Sequence, residues 1–125
     1  MILLLDAHAL LWWLADDASL DRQAFGAIQD PLNDVLVSAA TIWEIAIKRA
    51  LGKLEAPAGI VEAADLAGID IVPITGADAQ TAGALPAHHR DPFDRMLVAQ
   101  AARIGAVLVS RDRAFDAYEV AVLPA

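Results

Sequence analysis

Apolar residues recur along this chain in two rhythms. ILLL (2–5), DVLVS (34–38), AVLVS (106–110) and VAVL (120–123) are short runs without alternation of polar and apolar positions. Runs of that kind predict strands covered on both faces, as in a parallel sheet. IDIVPI (69–74) predicts another strand. Pro73 has no N–H to give a ladder, so this strand belongs at an edge. The stretches between follow helical spacing. HALLWWLA (8–15) is the first, and Ser19 suits the N-cap of a second over about 20–29, with Pro31 past its end. TIWEIAIKRALGKL (41–54) opens with a capping-box pattern, Thr41 and Glu44, and carries an apolar stripe at Ile42, Ile45, Ala46 and Ala50. Pro57 suits the first turn of a helix that ends near Gly68, and ADAQTAGAL (77–85) predicts a short helix. The next helix takes Asp91 as N-cap and Pro92 as first residue, buries Phe93, Leu97, Ala101 and Ile104, and stops near Ile104 before Gly105. A short helix near 113–117 precedes the last strand.

Strands that alternate with helices predict an α/β fold: a mostly parallel sheet of four to five strands in three layers, with helices on both faces. Such sheets place ligands beyond the carboxyl ends of their strands. Asp6 directly follows ILLL, and Asp112 lies two residues past AVLVS. Glu44 sits early in the helix after DVLVS, and Asp94 in the first turn of a helix that leads back into the sheet. The architecture therefore predicts four carboxylates at one end of the sheet.

A length of 125 residues predicts one domain, residues 1–125. A chain of this size buries about 65–70% of its unfolded surface, enough for a core. The 58% hydrophobic content and a mean hydropathy of +0.48 agree. No apolar run is long enough for a membrane helix. The opening MILLLDAHALLWWLA lacks a positive leader region and is interrupted by Asp6, so it reads as folded structure. There is no cysteine, which excludes disulfides, thiolate metal sites and a thiol nucleophile, and a reducing cytoplasm is the simplest setting. The net charge of −8 argues against a broad nucleic-acid-coating surface, although not against a nucleic-acid enzyme.

Four carboxylates in one pocket disfavour one another's ionisation unless a cation neutralises them. Mg²⁺ and Mn²⁺ prefer such oxygen donors, and a metal held this way serves phosphodiester hydrolysis. No Cys/His set with zinc spacing competes. Each acid also has a structural explanation. Asp6 can cap a helix, Glu44 can partner Thr41, Asp94 can favour a helix N-terminus and Asp112 can serve a turn. Asp91 reads first as the helix cap, with a part in the site left open, and Asp94 as the binding member of the HHRDPFDR segment. Lys48, four residues after Glu44, reads as a surface pair or as a cation near a phosphate. Arg90, Arg95, Arg111 and Arg113 read as solvated charges or phosphate contacts. His88 and His89 are expected in an exposed loop rather than as ligands. Trp12 and Trp13, about 100° apart on a helix, predict one core residue and one residue at a partner surface.

LLLDAHALLWWLA, SAATIWEIAIKRALGKL, HHRDPFDRMLVAQA and LVSRDRAFDAY resemble, in order and over nearly the whole chain, the four acidic motifs of the PIN-domain family. The likeness is strongest to VapC-type toxins. It implies a three-layer PIN-like fold and a Mg²⁺- or Mn²⁺-dependent endoribonuclease that hydrolyses RNA with metal-activated water. It also implies inhibition by a cognate VapB-like antitoxin, and a homodimer. Residue by residue it assigns the catalytic, metal-binding site to Asp6, Glu44, Asp94 and Asp112, with Asp6 and Asp94 on the principal ion. Ser110 stands where many relatives have threonine and keeps the hydroxyl. The alternative is a receiver-like phosphoacceptor domain. It would need a paired acid after the first strand, an aspartate after a middle strand and a lysine after the last, and none of these is present. A catalytically dead interaction domain is the third reading, against which the intact acid set argues.

Overall fold

The computed structural model describes residues 1–125. Five strands form one sheet: β1 (Ile2–Leu5), β2 (Asp34–Ser38), β3 (Asp70–Val72), β4 (Val107–Val109) and β5 (Val122–Leu123). Their order is β3-β2-β1-β4-β5, and all four pairings are parallel. The sheet confirms the α/β architecture, and β3, followed at once by Pro73, does lie at an edge. Central β1 explains its own sequence. Leu3 and Leu5 enter one core with Leu10, Ile28, Val37 and Ile45. Leu4 points the other way, to Leu97, Leu108 and Phe115. All three leucines are fully buried, and each such side chain contributes about 1.5–3 kcal/mol.

Six helices cover the two faces: α1 (Ala7–Leu14), α2 (Arg22–Gln29), α3 (Ala39–Ala50), α4 (Ile60–Leu66), α5 (Gly76–Ala84) and α6 (Pro92–Ile104). Residues of α1 to α4 belong to the Leu3 core, and α6 packs in the Leu4 core beside a 3-10 turn at Arg113–Ala117. The α6 boundaries follow the sequence signals: Asp91 accepts from the N–H of Phe93, and Gly105 closes the helix at φ 68°, a left-handed conformation that glycine adopts without strain.

Several local expectations are corrected. Asp21, not Ser19, caps α2, because its carboxylate reaches the N–H of Gln23. Ser38, not Thr41, caps α3, so Thr41 lies inside the helix and Glu44 is no capping-box partner. A capping box does form at Thr75 and Asp78. Pro57 lies outside α4, which starts after Gly59. Ala46 and Ala50 are exposed, because α3 turns Thr41, Glu44 and Ile45 inward instead. Trp12 and Trp13 are both half-buried against the Leu3 core, so neither is a purely surface residue.

Candidate active site

Strand β1 has β2 on one side and β4 on the other, so the chain reverses its direction of winding around β1. The crevice at such a switch point is where α/β sheets bind ligands. A pocket of about 400 Å³ opens there, and its lining includes Asp6, Glu44, Asp91, Asp94, Asp112 and Lys48. The four expected site residues thus meet in one pocket, and Asp91 joins them.

Asp6, Asp91 and Asp112 cap the elements that follow them, while Glu44 and Asp94 lie within helices. Asp6 follows β1, gives its N–H to Val109 O of β4 at 3.1 Å, and accepts from the N–H of Ala9 at 2.9 Å as the cap of α1. Capping and pocket lining coexist because the cap engages one oxygen, Oδ1. Glu44 is 8% exposed at its side chain and accepts from Lys48 Nζ at 2.7 Å. Lys48 is therefore the partner of a pocket acid rather than a free surface cation. Asp112 caps the 3-10 turn through Ala114 N–H, and its own N–H donates to the buried Ser110 hydroxyl at 3.0 Å. Asp91 Oδ1 accepts from Phe93 N–H at 2.9 Å and, more weakly, from Asp94 N–H at 3.4 Å, which places Asp94 one turn into α6.

The electrostatics are unbalanced. Burial pushes the Asp94 carboxyl up to about 7, and the charges of Asp91 and Glu44 add to the rise against the opposing pull of His89. Burial also raises Asp6, offset in part by the Ser110 hydroxyl and the Ala9 N–H. Lys48 is raised mainly by its hydrogen bond to Glu44, and by the charges of Asp91 and Asp94. Five carboxylates line the pocket against two cations, Lys48 and Arg111, and this excess of oxygen donors fits a hard divalent cation. Asp6, Glu44, Asp91, Asp94 and Asp112 line the pocket and could hold one, and ligand-capable atoms of His89, Asp94 and Asp112 lie within 4.8 Å of one another.

Other expected contacts differ. Arg95 spends its guanidinium on the carbonyls of Gly83, Leu85, Pro86 and His89, so it braces a loop. Arg111 lines the pocket, stacks on Trp12 at 4.3 Å and donates to the carbonyls of Ala125 and Ser19. Arg90 and Arg113 are exposed, as is His88. His89 is not: its Nε2 lies 2.6 Å from Asp94 Oδ2 and 3.5 Å from Asp112 Oδ2. It is the residue that sequence reasoning missed. Its position five residues before Asp94 was the available signal, hidden by a loop with no periodicity.

No curated protein matches the chain by sequence. In the solved structures the fold recurs. VapBC2 from Rickettsia felis, bound to a DNA fragment from its promoter, contains a chain of TM-score 0.73 and 13% identity, with 99% of this chain and 98% of that one covered. DNA-bound VapBC from Salmonella typhimurium gives 0.70 and 16%, again covering 99% and 98%. A toxin-antitoxin complex from Klebsiella pneumoniae gives 0.63 and 21%, covering 96% and 94%. At these identities the likeness is one of fold, a five-stranded parallel sheet with helices on both sides. The amino-acid pattern itself matches the PIN domain over residues 3–121. With acids from four separate segments meeting beyond the sheet, the chain belongs to the PIN-domain family.

Proposed function

We propose that this protein is a divalent-metal-dependent endoribonuclease and the toxin component of a VapBC-type toxin–antitoxin pair. The observation that carries this reading is the pocket itself: acids from the end of β1, from α3, from α6 and from the turn after β4 line one crevice and outnumber the cations Lys48 and Arg111 that share it. Asp6 and Asp94 hold the principal ion, Mg²⁺ or Mn²⁺, and Glu44 and Asp112 complete the site. A bound ion there supplies charge stabilisation for the phosphodiester and makes water more acidic. The chain's own groups do the rest. Asp6 is oriented by its capping bond, and Glu44 is held by Lys48, whose ammonium also offsets the charge that an approaching phosphate meets. Arg111, stacked on Trp12, lines one side.

The antitoxin partner is supported by the recurrence of this fold in VapBC and toxin-antitoxin complexes. A cytoplasmic location and a homodimer belong to the same reading, and no helix is long and apolar enough to cross a membrane. The test is cleavage of RNA by purified protein with Mg²⁺ or Mn²⁺, with EDTA as control. Metal-dependent cleavage that is lost in Asp94→Asn is expected. Labelling by a phosphodonor such as acetyl phosphate, without nuclease activity, would favour the receiver-like alternative.

A further inference from the structure

His89 touches two pocket carboxylates without lining the pocket. Ligand-capable atoms of His89, Asp94 and Asp112 all lie within 4.8 Å of one another. Two roles suit that spacing: a nitrogen ligand, or a donor that holds the carboxylates in place. The second ring nitrogen decides between them. His89 Nδ1 faces the backbone N–H of Asp91 at 3.4 Å. An N–H only donates, so Nδ1 offers its lone pair, and the ring proton sits on Nε2, aimed at Asp94 and Asp112. A histidine that binds metal has the reverse arrangement, in which the other nitrogen donates to a carbonyl or carboxylate.

The loop is built to keep the ring there. The backbone N–H of His89 donates to Tyr118 Oη at 3.0 Å, and that hydroxyl donates to Pro86 O at 2.9 Å. Arg95 holds the His89 carbonyl at 3.2 Å and the Pro86 carbonyl at 3.2 Å. Tyr118 is buried, so the clamp is anchored in the Leu4 core.

We propose that His89 is a positioning residue, whose Nε2–H donates to Asp94 Oδ2 at 2.6 Å, with Asp112 Oδ2 farther off at 3.5 Å, and fixes one oxygen of Asp94 so that the other is presented to a divalent cation. This deepens the metal-nuclease reading and rests on it. A carboxylate held at one oxygen keeps its charge and loses rotational freedom. Partners of this kind are typically worth about 10–100-fold in metal affinity.

The test is Mn²⁺ binding to the full chain, followed by electron paramagnetic resonance, with spin-echo modulation to detect directly bound nitrogen. His89→Ala is expected to weaken binding about 10–100-fold. His89→Gln, whose amide N–H reaches close to the Nε2 position, is expected to recover part of that loss. Tyr118→Phe, which loosens the loop alone, is expected to give a smaller weakening. The wild type is expected to show no nitrogen coupling that disappears in His89→Ala; such coupling would make His89 a ligand and overturn the proposal. Equal affinity of wild type and His89→Ala would also overturn it, while leaving the metal site standing. Failure of the wild type to bind Mn²⁺ at all would overturn both.

Discussion

Asp78 in α5 and Asp94 in α6 each stand three residues after an N-cap, Thr75 and Asp91 respectively. Both gain from the positive end of a helix. Their carboxyls nonetheless shift in opposite directions. Arg103 grips Asp78 with Nε at 2.6 Å and an Nη at 3.0 Å, and Gln100 and the Thr75 N–H add further donors. This holds the Asp78 carboxyl well below the usual carboxylate range. Asp94 meets burial, Asp91 and Glu44, opposed mainly by His89, and rises to about 7. A buried acid with its donors satisfied joins two helices. One whose charge is left over marks a place for a ligand.

The largest expected effect follows from removing the unbalanced charge. Asp94→Asn should lower RNA cleavage at least about 10²–10³-fold, while the melting temperature of the metal-free variant stays level or rises. A folded Asp94→Asn protein that still cleaves at the wild-type rate would end the assignment of Asp94. Metal should act on the same corner from the other side. Mn²⁺ at about 100 times its dissociation constant should stabilise the wild type by about 2.7 kcal/mol, and calorimetry of Asp94→Asn should show much less.

Asp78→Ala should instead act on the fold. It removes charge-assisted bonds worth about 1.5–3 kcal/mol, and urea denaturation should show a loss of about 2–3 kcal/mol with metal affinity unchanged. A change in Mn²⁺ affinity would mean that the two ends of α6 communicate.

The two aspartates also predict opposite responses to pH. Asp78 has a depressed folded value, so its contribution is present above the unfolded value near about 3.9 and lost as pH falls through the folded one. Asp94 has a raised folded value, so the native state binds the extra proton between the unfolded value and about 7. In metal-free protein its contribution therefore falls as pH rises through that window. Thermal melts from pH 4 to 8 in EDTA should slope less in Asp94→Asn, and melts below pH 4 should slope less in Asp78→Asn.

The smallest effect is expected at Asp91. Asparagine caps a helix as well as aspartate does, so Asp91→Asn should change stability by less than about 0.5 kcal/mol and cleavage by less than about tenfold. A larger loss of cleavage in a variant of native stability would give Asp91 a direct part in the pocket.

Legibility in the sequence followed the range of the forces involved. The strand runs 2–5 and 34–38 match β1 and β2 residue for residue; in central β1 the unalternating apolar run records burial on both faces, while β2 starts at an exposed Asp34 and is fully buried only at Val37 and Ser38. Asp91, Pro92 and Gly105 marked α6 because capping is settled within a few residues. Local cues mark a cap poorly where several candidates stand close together. Ser38 displaced Thr41, and Asp21 displaced Ser19, since strand β2 runs directly into α3 and the loop before α2 sets where that helix begins. The inward face of α3 is hard to read because alanine carries little burial preference, so Ala46 and Ala50 face out while Glu44 is buried.

By itself the sequence determined the alternation of strands and helices, the parallel sheet and the four acids expected at one end of it. Each of these is written in local pattern and in the rule that parallel strands end on the same side. The tertiary structure decided which buried aspartate is satisfied by an arginine, that Arg95 braces a loop instead of meeting solvent, and that His89 turns from the surface to lie 2.6 Å from Asp94. Those outcomes depend on groups brought together from distant parts of the chain, and the strength of an electrostatic contact is set by distance and burial, which a linear order of residues does not contain.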